Sequence, residues 1–146
     1  MDGIIFDVDG TLWDSVEVVA ESWNLAIKEN SDLEPNLNRE ILQGLFGKTM
    51  DEIAAGVFPD LDTDSRRKLM DICFDYENRY LETHPGVYYE GVMDTLKELA
   101  LEYPLFIVSN CQCGYIEVMM KGAGMEPYIK DFLCFGQTQT SKDQTI

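Results

Sequence analysis

Ile4-Ile5-Phe6-Asp7-Val8-Asp9-Gly10-Thr11-Leu12 is the stretch on which the reading of this chain turns. Three consecutive apolar, β-prone residues make a short strand without a polar face, the pattern of a strand covered on both sides, and the Asp-Val-Asp-Gly sequence stops it. Two acids therefore stand at the carboxyl end of the strand. A second apolar run, Leu105-Phe106-Ile107-Val108, stops in the same way at Ser109 and Asn110, and a third short strand is expected over Phe132 to Phe135. Helical patterns separate these runs, with helices expected around Val92 to Leu101 and from Tyr115 to Lys121, the latter ending at Gly122 and Gly124. Strands alternating with helices imply right-handed crossovers and a parallel sheet, so the chain reads as α/β, with a ligand site beyond the carboxyl ends of its strands. Asp7, Asp9 and Ser109 all fall there.

The segment between the first two strands is too long for a simple crossover, and its pattern is helical throughout. Asp14 with Glu17 three residues on is a cap signal, and Val16, Val19, Ala20, Trp23 and Ile27 share one face of a helix running to about Asn30. Leu37 and Leu42 stand at staple spacing around an Asn38 cap, which predicts a short second helix. Thr49 and Glu52 form a capping box for a third, broken near Pro59. From about Thr63, the positions Leu69, Ile72, Cys73, Tyr76 and Tyr80 repeat at helical spacing up to the turn Thr83-His84-Pro85-Gly86. Residues 14–84 are therefore read as an inserted helical cap, and residues 1–13 with 85–146 as one α/β unit.

Composition narrows the function from another side. The chain has 146 residues, 45% of them hydrophobic and 26% charged, which is the makeup of a globular domain and not of a disordered one. Its formal net charge of -16, with only 11 Lys and Arg, excludes the broad basic footprint that nucleic acid or an acidic membrane surface requires. An anion-binding site in so acidic a chain needs local help, from a divalent cation or a helix N-terminus. Cys73, Cys111, Cys113 and Cys134 have neither CxxC spacing nor the density of a disulfide scaffold, and read as ordinary thiols. The N-terminus carries no secretory pattern and no stretch approaches the roughly 18 apolar residues of a membrane span, so a cytoplasmic location is the expectation.

The first stretch, extended by Asp14-Ser15, resembles the first motif of the haloacid dehalogenase superfamily in its phosphoglycolate phosphatase and β-phosphoglucomutase branch. The resemblance implies a Rossmann-like core with the helical cap inserted after the first strand, and a phosphatase that acts on a small phosphorylated metabolite with Mg²⁺ as cofactor. It implies that Asp7 attacks phosphorus to form an aspartyl-phosphate, while Asp9 protonates the leaving oxygen and later activates water. The Asp7 carboxylate and the Asp9 backbone carbonyl are the implied metal ligands. Leu105 to Asn110 matches the second motif, with Ser109 and Asn110 at the phosphate, and Lys142 in Thr140-Ser141-Lys142-Asp143 matches the third, a cation over nucleophile and phosphate. Gly44 to Met50 resembles the cap loop that faces the site and reads the leaving group, which points to Gly47 and Lys48. The fourth motif, an acidic pair that completes the metal site, is not found up to Ile146, and the resemblance implies further residues that supply it.

These residue types suit phosphoryl transfer, which is chiefly positioning and neutralisation of charge. Gly10 permits close backbone approach to a phosphate, and Thr11 offers a hydroxyl. A phosphomutase would use the same two acids and return the phosphate to another hydroxyl. A slowly turning-over phospho-accepting domain is disfavoured by the long helical insertion, while a fragment with little catalysis of its own is a further alternative. Sheet physics adds an expectation about partners, since an apolar edge at the third strand must be covered by further strands or by self-association.

Overall fold

The computed structural model describes residues 2–134 of the chain. In order, the elements are β1 (Ile4–Phe6), β2 (Trp13–Asp14), α1 (Val16–Asn30), α2 (Arg39–Gln43), α3 (Met50–Val57), α4 (Thr63–Thr83), β3 (Val87–Tyr88), α5 (Val92–Ala100), β4 (Leu105–Ser109), α6 (Tyr115–Ala123), a single 3₁₀ turn (Glu126–Tyr128) and β5 (Asp131–Cys134). The parallel sheet has the order β1-β4-β5. Ile4, Ile5 and Phe6 lie opposite Leu105, Phe106 and Ile107, and β4 continues the ladder to β5 with Ser109 opposite Cys134. The third strand thus lies where its apolar run put it, beginning at Asp131, while Phe135 falls outside the described residues.

Alternation along the strands sorts the sheet into two faces. Leu105, Ile107 and Cys134 point into a core closed by Leu96, Ile116, Met119 and Met125. The opposite face carries Ile5, Phe106, Val108 and Leu133, of which Ile5 is 48% and Leu133 38% exposed. The uncovered apolar surface expected at the third strand is therefore broader than an edge. Among the described residues β1 and β5 are both edge strands, and the sheet face between them is open. None of the helices described is long and apolar enough to cross a membrane.

The helical segment has its own core of Val19, Trp23, Ala26, Leu42, Met70 and Cys73, with Trp23 set edge-on to Phe74 at 5.8 Å. Its local signals are largely realised. Asn38 accepts from the Ile41 amide, with Leu37 and Leu42 both buried around it, and Thr49 with Glu52 makes both bonds of the capping box. Two details differ. The N-cap of α1 is Ser15 and not Asp14; the Asp14 carboxylate instead accepts from the Val16 amide at 3.1 Å, and Glu17 pairs with Arg39 of α2. Ser15 does not cap with its side chain because its hydroxyl is bonded to Tyr115. On α4, Ile72 is exposed and Tyr76 and Tyr80 are only half-buried, while Met70, Phe74, Glu77 and Leu81 go inside with Leu69 and Cys73. The stripe is drawn around the helix because α4 packs on α1 and α3 and also on α6.

The chain leaves the α/β part and returns to it through a two-stranded antiparallel ribbon, β2 with β3, too short to leave a periodic trace in the sequence. Gly86, buried at its mouth, lies against Trp13, the Asp14 carbonyl and Ser15, and a Cβ there would meet them at 2.9 to 3.0 Å. Gly86→Ala is accordingly expected to cost about 1–3 kcal/mol by overpacking. Gly44→Ala, where the nearest atom would be 3.6 Å away, should stay within about 0.5 kcal/mol. Denaturant midpoints at unchanged slope measure both, and a G86A protein as stable as wild type would show that the ribbon can open to take a methyl group.

Candidate active site

The β1–β4 ladder ends with Phe6 opposite Ile107, which brings the segment after β1, beginning at Asp7, to the carboxyl end of β4, where Ser109 is the last strand residue. The chain then turns sharply. The amides of Thr11 and Leu12 return to the Val8 carbonyl, the Gly10 amide bonds to the Trp13 carbonyl, and Gly10 has φ +76°, a conformation that L side chains rarely adopt. Asp9 is thereby held at the floor of two adjoining clefts. One is lined by Asp7, Asp9, Gly10, Asp14, Arg39 and Gly47, and the other by Asp9, Gly47, Lys48, Glu77, Ser109 and Asn110.

The structure therefore brings together Asp7, Asp9, Gly10, Ser109, Asn110, Gly47 and Lys48 from three separate parts of the sequence. Asn110 donates from its side-chain amide to the Gly47 carbonyl at 2.8 Å, tying the end of β4 directly to the loop between α2 and α3. Thr11 is exposed and lines neither of these clefts, and Lys142 lies outside the described residues. Trp13 and Trp23 are buried packing residues, and His84 is an exposed turn residue stacked on Tyr80 at 4.1 Å.

Asp9 keeps some surface open, yet its carboxyl is surrounded by protein. Burial lifts it to about 6, and the neighbouring Asp7 charge adds to the rise. The Tyr115 hydroxyl works in the opposite direction by donating to Asp9 Oδ1, with smaller help from Trp13 and Ser15. Tyr115 is itself buried and held protonated, first by burial and then by the charges of Asp9 and Glu77.

Glu77 was invisible as a site residue in the sequence, although it falls on the buried stripe of α4 midway between Cys73 and Leu81, where a charged residue is an anomaly. It is 2% exposed, accepts from Gln112 Nε2, and is raised well above its ordinary value by burial and then by Asp9. The indole N–H of Trp23, buried and short of hydrogen-bond geometry to any group, faces it closely enough to favour its charged form. Gln112 also donates to Asn78 Oδ1 at 3.0 Å, and Asn78 donates to the Cys113 carbonyl at 2.8 Å. Neither Glu77 nor Tyr115 sits in a recognisable motif, and their contacts span 35 and 106 residues of sequence.

As a metal site, Asp7 and the Asp9 carbonyl offer oxygen donors of the kind a hard ion such as Mg²⁺ takes. They supply part of a shell, and among the described residues no group of three or more His, Cys, Asp or Glu side chains could hold a metal.

A parallel α/β sheet with two acids at the end of its first strand and a serine at the end of its second defines the class, and the sequence comparison agrees. The chain belongs to the haloacid dehalogenase-like hydrolase family, whose model matches residues 4–146. Among curated proteins none matches it. Of solved structures, a predicted phosphoglycolate phosphatase from Haemophilus somnus superimposes with a TM-score of 0.80 at 23% identity, over 94% of this chain and 63% of the other. A haloacid dehalogenase-like family protein from Streptococcus pneumoniae gives 0.71 at 20%, over 92% and 61%. The HAD-hydrolase YfnB of Bacillus subtilis, bound to magnesium and described as showing interdomain movement, gives 0.63 at 24%, over 94% and 66%. The chain thus spans less than two thirds of the length of the first two. At these identities the likeness is one of fold.

Glu77 gives the site a stability signature. A carboxyl raised in the folded state holds its proton more tightly there, so its favourable contribution is complete below its ordinary value of 4.5 and is lost as pH rises toward the folded value. Glu77→Gln keeps an acceptor for Gln112 and removes the ionisation. The variant should gain Tm relative to wild type as pH rises from about 4 to about 8, with the two converging at the acid end. Parallel Tm profiles would show that Glu77 is not held neutral by its burial.

Proposed function

We propose that the protein hydrolyses a small organic phosphomonoester through an aspartyl-phosphate on Asp7, with Asp9 as the group that moves the protons. The observation that carries this reading is the Asp9 carboxyl, lifted to about 6 by burial and lying two residues from a second carboxyl in the same cleft. A carboxyl with that value can hold a proton for a leaving oxygen and then, once ionised, take one from water near neutral pH. In the first step an Asp7 oxygen bonds to phosphorus, the bond from phosphorus to the substrate oxygen breaks, and the Asp9 proton goes to that oxygen. In the second, water bonds to phosphorus, the bond to Asp7 breaks, and Asp9 recovers a proton.

Ser109, buried at the end of β4, is suited to hydrogen-bond a phosphoryl oxygen, and the backbone at Gly10 leaves room for close approach. Mg²⁺, held by the Asp7 carboxylate and the Asp9 carbonyl together with residues beyond those described, would neutralise charge on the phosphate when bound. Residues 14–84 act as the cap. Their loop at Gly47 and Lys48 faces the cleft, where Lys48 can meet an anionic group on the leaving portion of the substrate. Closure of this block over the acids excludes water from the first step.

Phosphate release by the complete protein tests the assignment. Asp7→Asn is expected to abolish turnover, because an amide is a poor nucleophile, and Asp9→Asn to cost about 10²- to 10⁴-fold. Chelation should stop the reaction and added Mg²⁺ restore it. Near-normal rates in either variant would remove the two acids from the chemistry.

A further inference from the structure

We propose that Tyr115 is a positioning residue that fixes the Asp9 carboxyl, so that its proton is presented to the leaving-group oxygen. The inference rests on the acid role given to Asp9 above and adds a residue that no motif contains. It begins from hydrogen-bond polarity. The Trp13 indole can only donate, and its Nε1 reaches Tyr115 Oη at 3.2 Å. The phenol has a single hydrogen, which it gives to Asp9 Oδ1. Ser15 Oγ, 2.8 Å from the same phenolic oxygen, must then be the donor in that bond. Trp13 and Ser15 both give into Tyr115, and Tyr115 gives into Asp9, a one-way arrangement in which each donor strengthens the next.

Two consequences follow for Asp9. With Oδ1 taken up by the Tyr115 hydroxyl, Oδ2 is the oxygen left to exchange a proton with the leaving group. With the carboxyl tethered, rotation about its side-chain bonds no longer carries that oxygen away from the cleft. The tether is itself rigid. Trp13 packs edge-on to the Tyr115 ring at 5.8 Å, and Tyr115 is the first residue of α6, behind Gly114 at φ +94°. A Cβ on Gly114 would come within 2.7 Å of Asn78 Nδ2, and Asn78 bonds to the Cys113 carbonyl, so α4 of the helical block sets where α6 begins. The helical block thus reaches the acid through Tyr115 as well as through the cleft wall.

The leaving group supplies the test. An alkoxide leaving group needs the Asp9 proton, whereas para-nitrophenolate leaves with little help, so misplacing the acid harms alkyl phosphates selectively. A purely structural defect lowers both rates together. In the complete protein with Mg²⁺, Tyr115→Phe is expected to lower kcat/KM for β-glycerol phosphate by about 10- to 100-fold and for para-nitrophenyl phosphate by less than about threefold. Asp9→Asn, measured beside it, should show the same selectivity to a greater degree. If Asp9→Asn lowers both substrates equally, the acid role of Asp9 fails. If Asp9→Asn is selective and Tyr115→Phe is not, the acid stands and the positioning role is overturned. Should Tyr115→Phe not fold, replacement of Tyr115 by para-aminophenylalanine keeps the ring and offers a weaker donor. A several-fold fall in the alkyl-to-aryl ratio then supports the proposal, and an unchanged ratio overturns it.

Discussion

The parallel pairing of β1 with β4 is the constraint on which the rest depends. It joins Ile4, Ile5 and Phe6 to residues a hundred positions later, with Ile4 opposite Leu105 and Phe6 opposite Ile107. Parallel neighbours cannot be joined by a tight turn, so the intervening chain must leave at one end of the sheet and return at the other. Here that passage holds four helices and the β2–β3 ribbon in addition to the crossover helix α5. The same pairing aligns two carboxyl ends, and the strands release Asp7 and Asp9 on one side and Ser109 and Asn110 on the other within reach of one cleft. β5 adds to the outer side of β4.

What the pairing assembles is electrostatically expensive. Asp7, Asp9 and Glu77 gather at or near one cleft in a chain whose net charge is already -16, and both Asp9 and Glu77 respond by holding their protons more tightly. Donors offset part of the cost, through Tyr115 on Asp9 and Gln112 on Glu77. They come from the short segment after β4 and the first turn of α6, so one stretch of chain serves both acids. That segment is in turn held by Asn78 on α4 and, through Asn110, by the Gly47 carbonyl. The helical block thus holds the segment that carries both donors, while the Tyr115–Asp9 and Gln112–Glu77 bonds form separate hydrogen-bonded groups that influence each other through charge.

How much of this was legible depended on the range of the interaction. The apolar runs of Ile4 to Phe6 and Leu105 to Val108, the Asn38 and Thr49 caps and the glycine stop of α6 are written in neighbouring residues, and each appeared where the sequence put it. The stop came at Gly124 and not at Gly122, because only Gly124 takes up the left-handed cap conformation. The two acids and the serine were legible for the same reason, since each ends an apolar run. The α4 stripe was misplaced by about one position, and the α1 cap, given to Asp14, falls on Ser15; partners distant in sequence act at both places. α6 drew the stripe of α4 toward Leu81, and Tyr115 took the Ser15 hydroxyl away from the helix end.

The sequence by itself determined that this is an α/β chain with carboxylates at the end of its first strand, because strand and helix signals act over a few residues and survive without their surroundings. Tertiary structure alone decided which of those carboxylates is buried, which residues donate to it, and that Glu77 and Tyr115 stand near it at all. A proton affinity is a property of solvation and of neighbouring charge, both of which exist only when residues separated by up to 106 positions have been packed into one place.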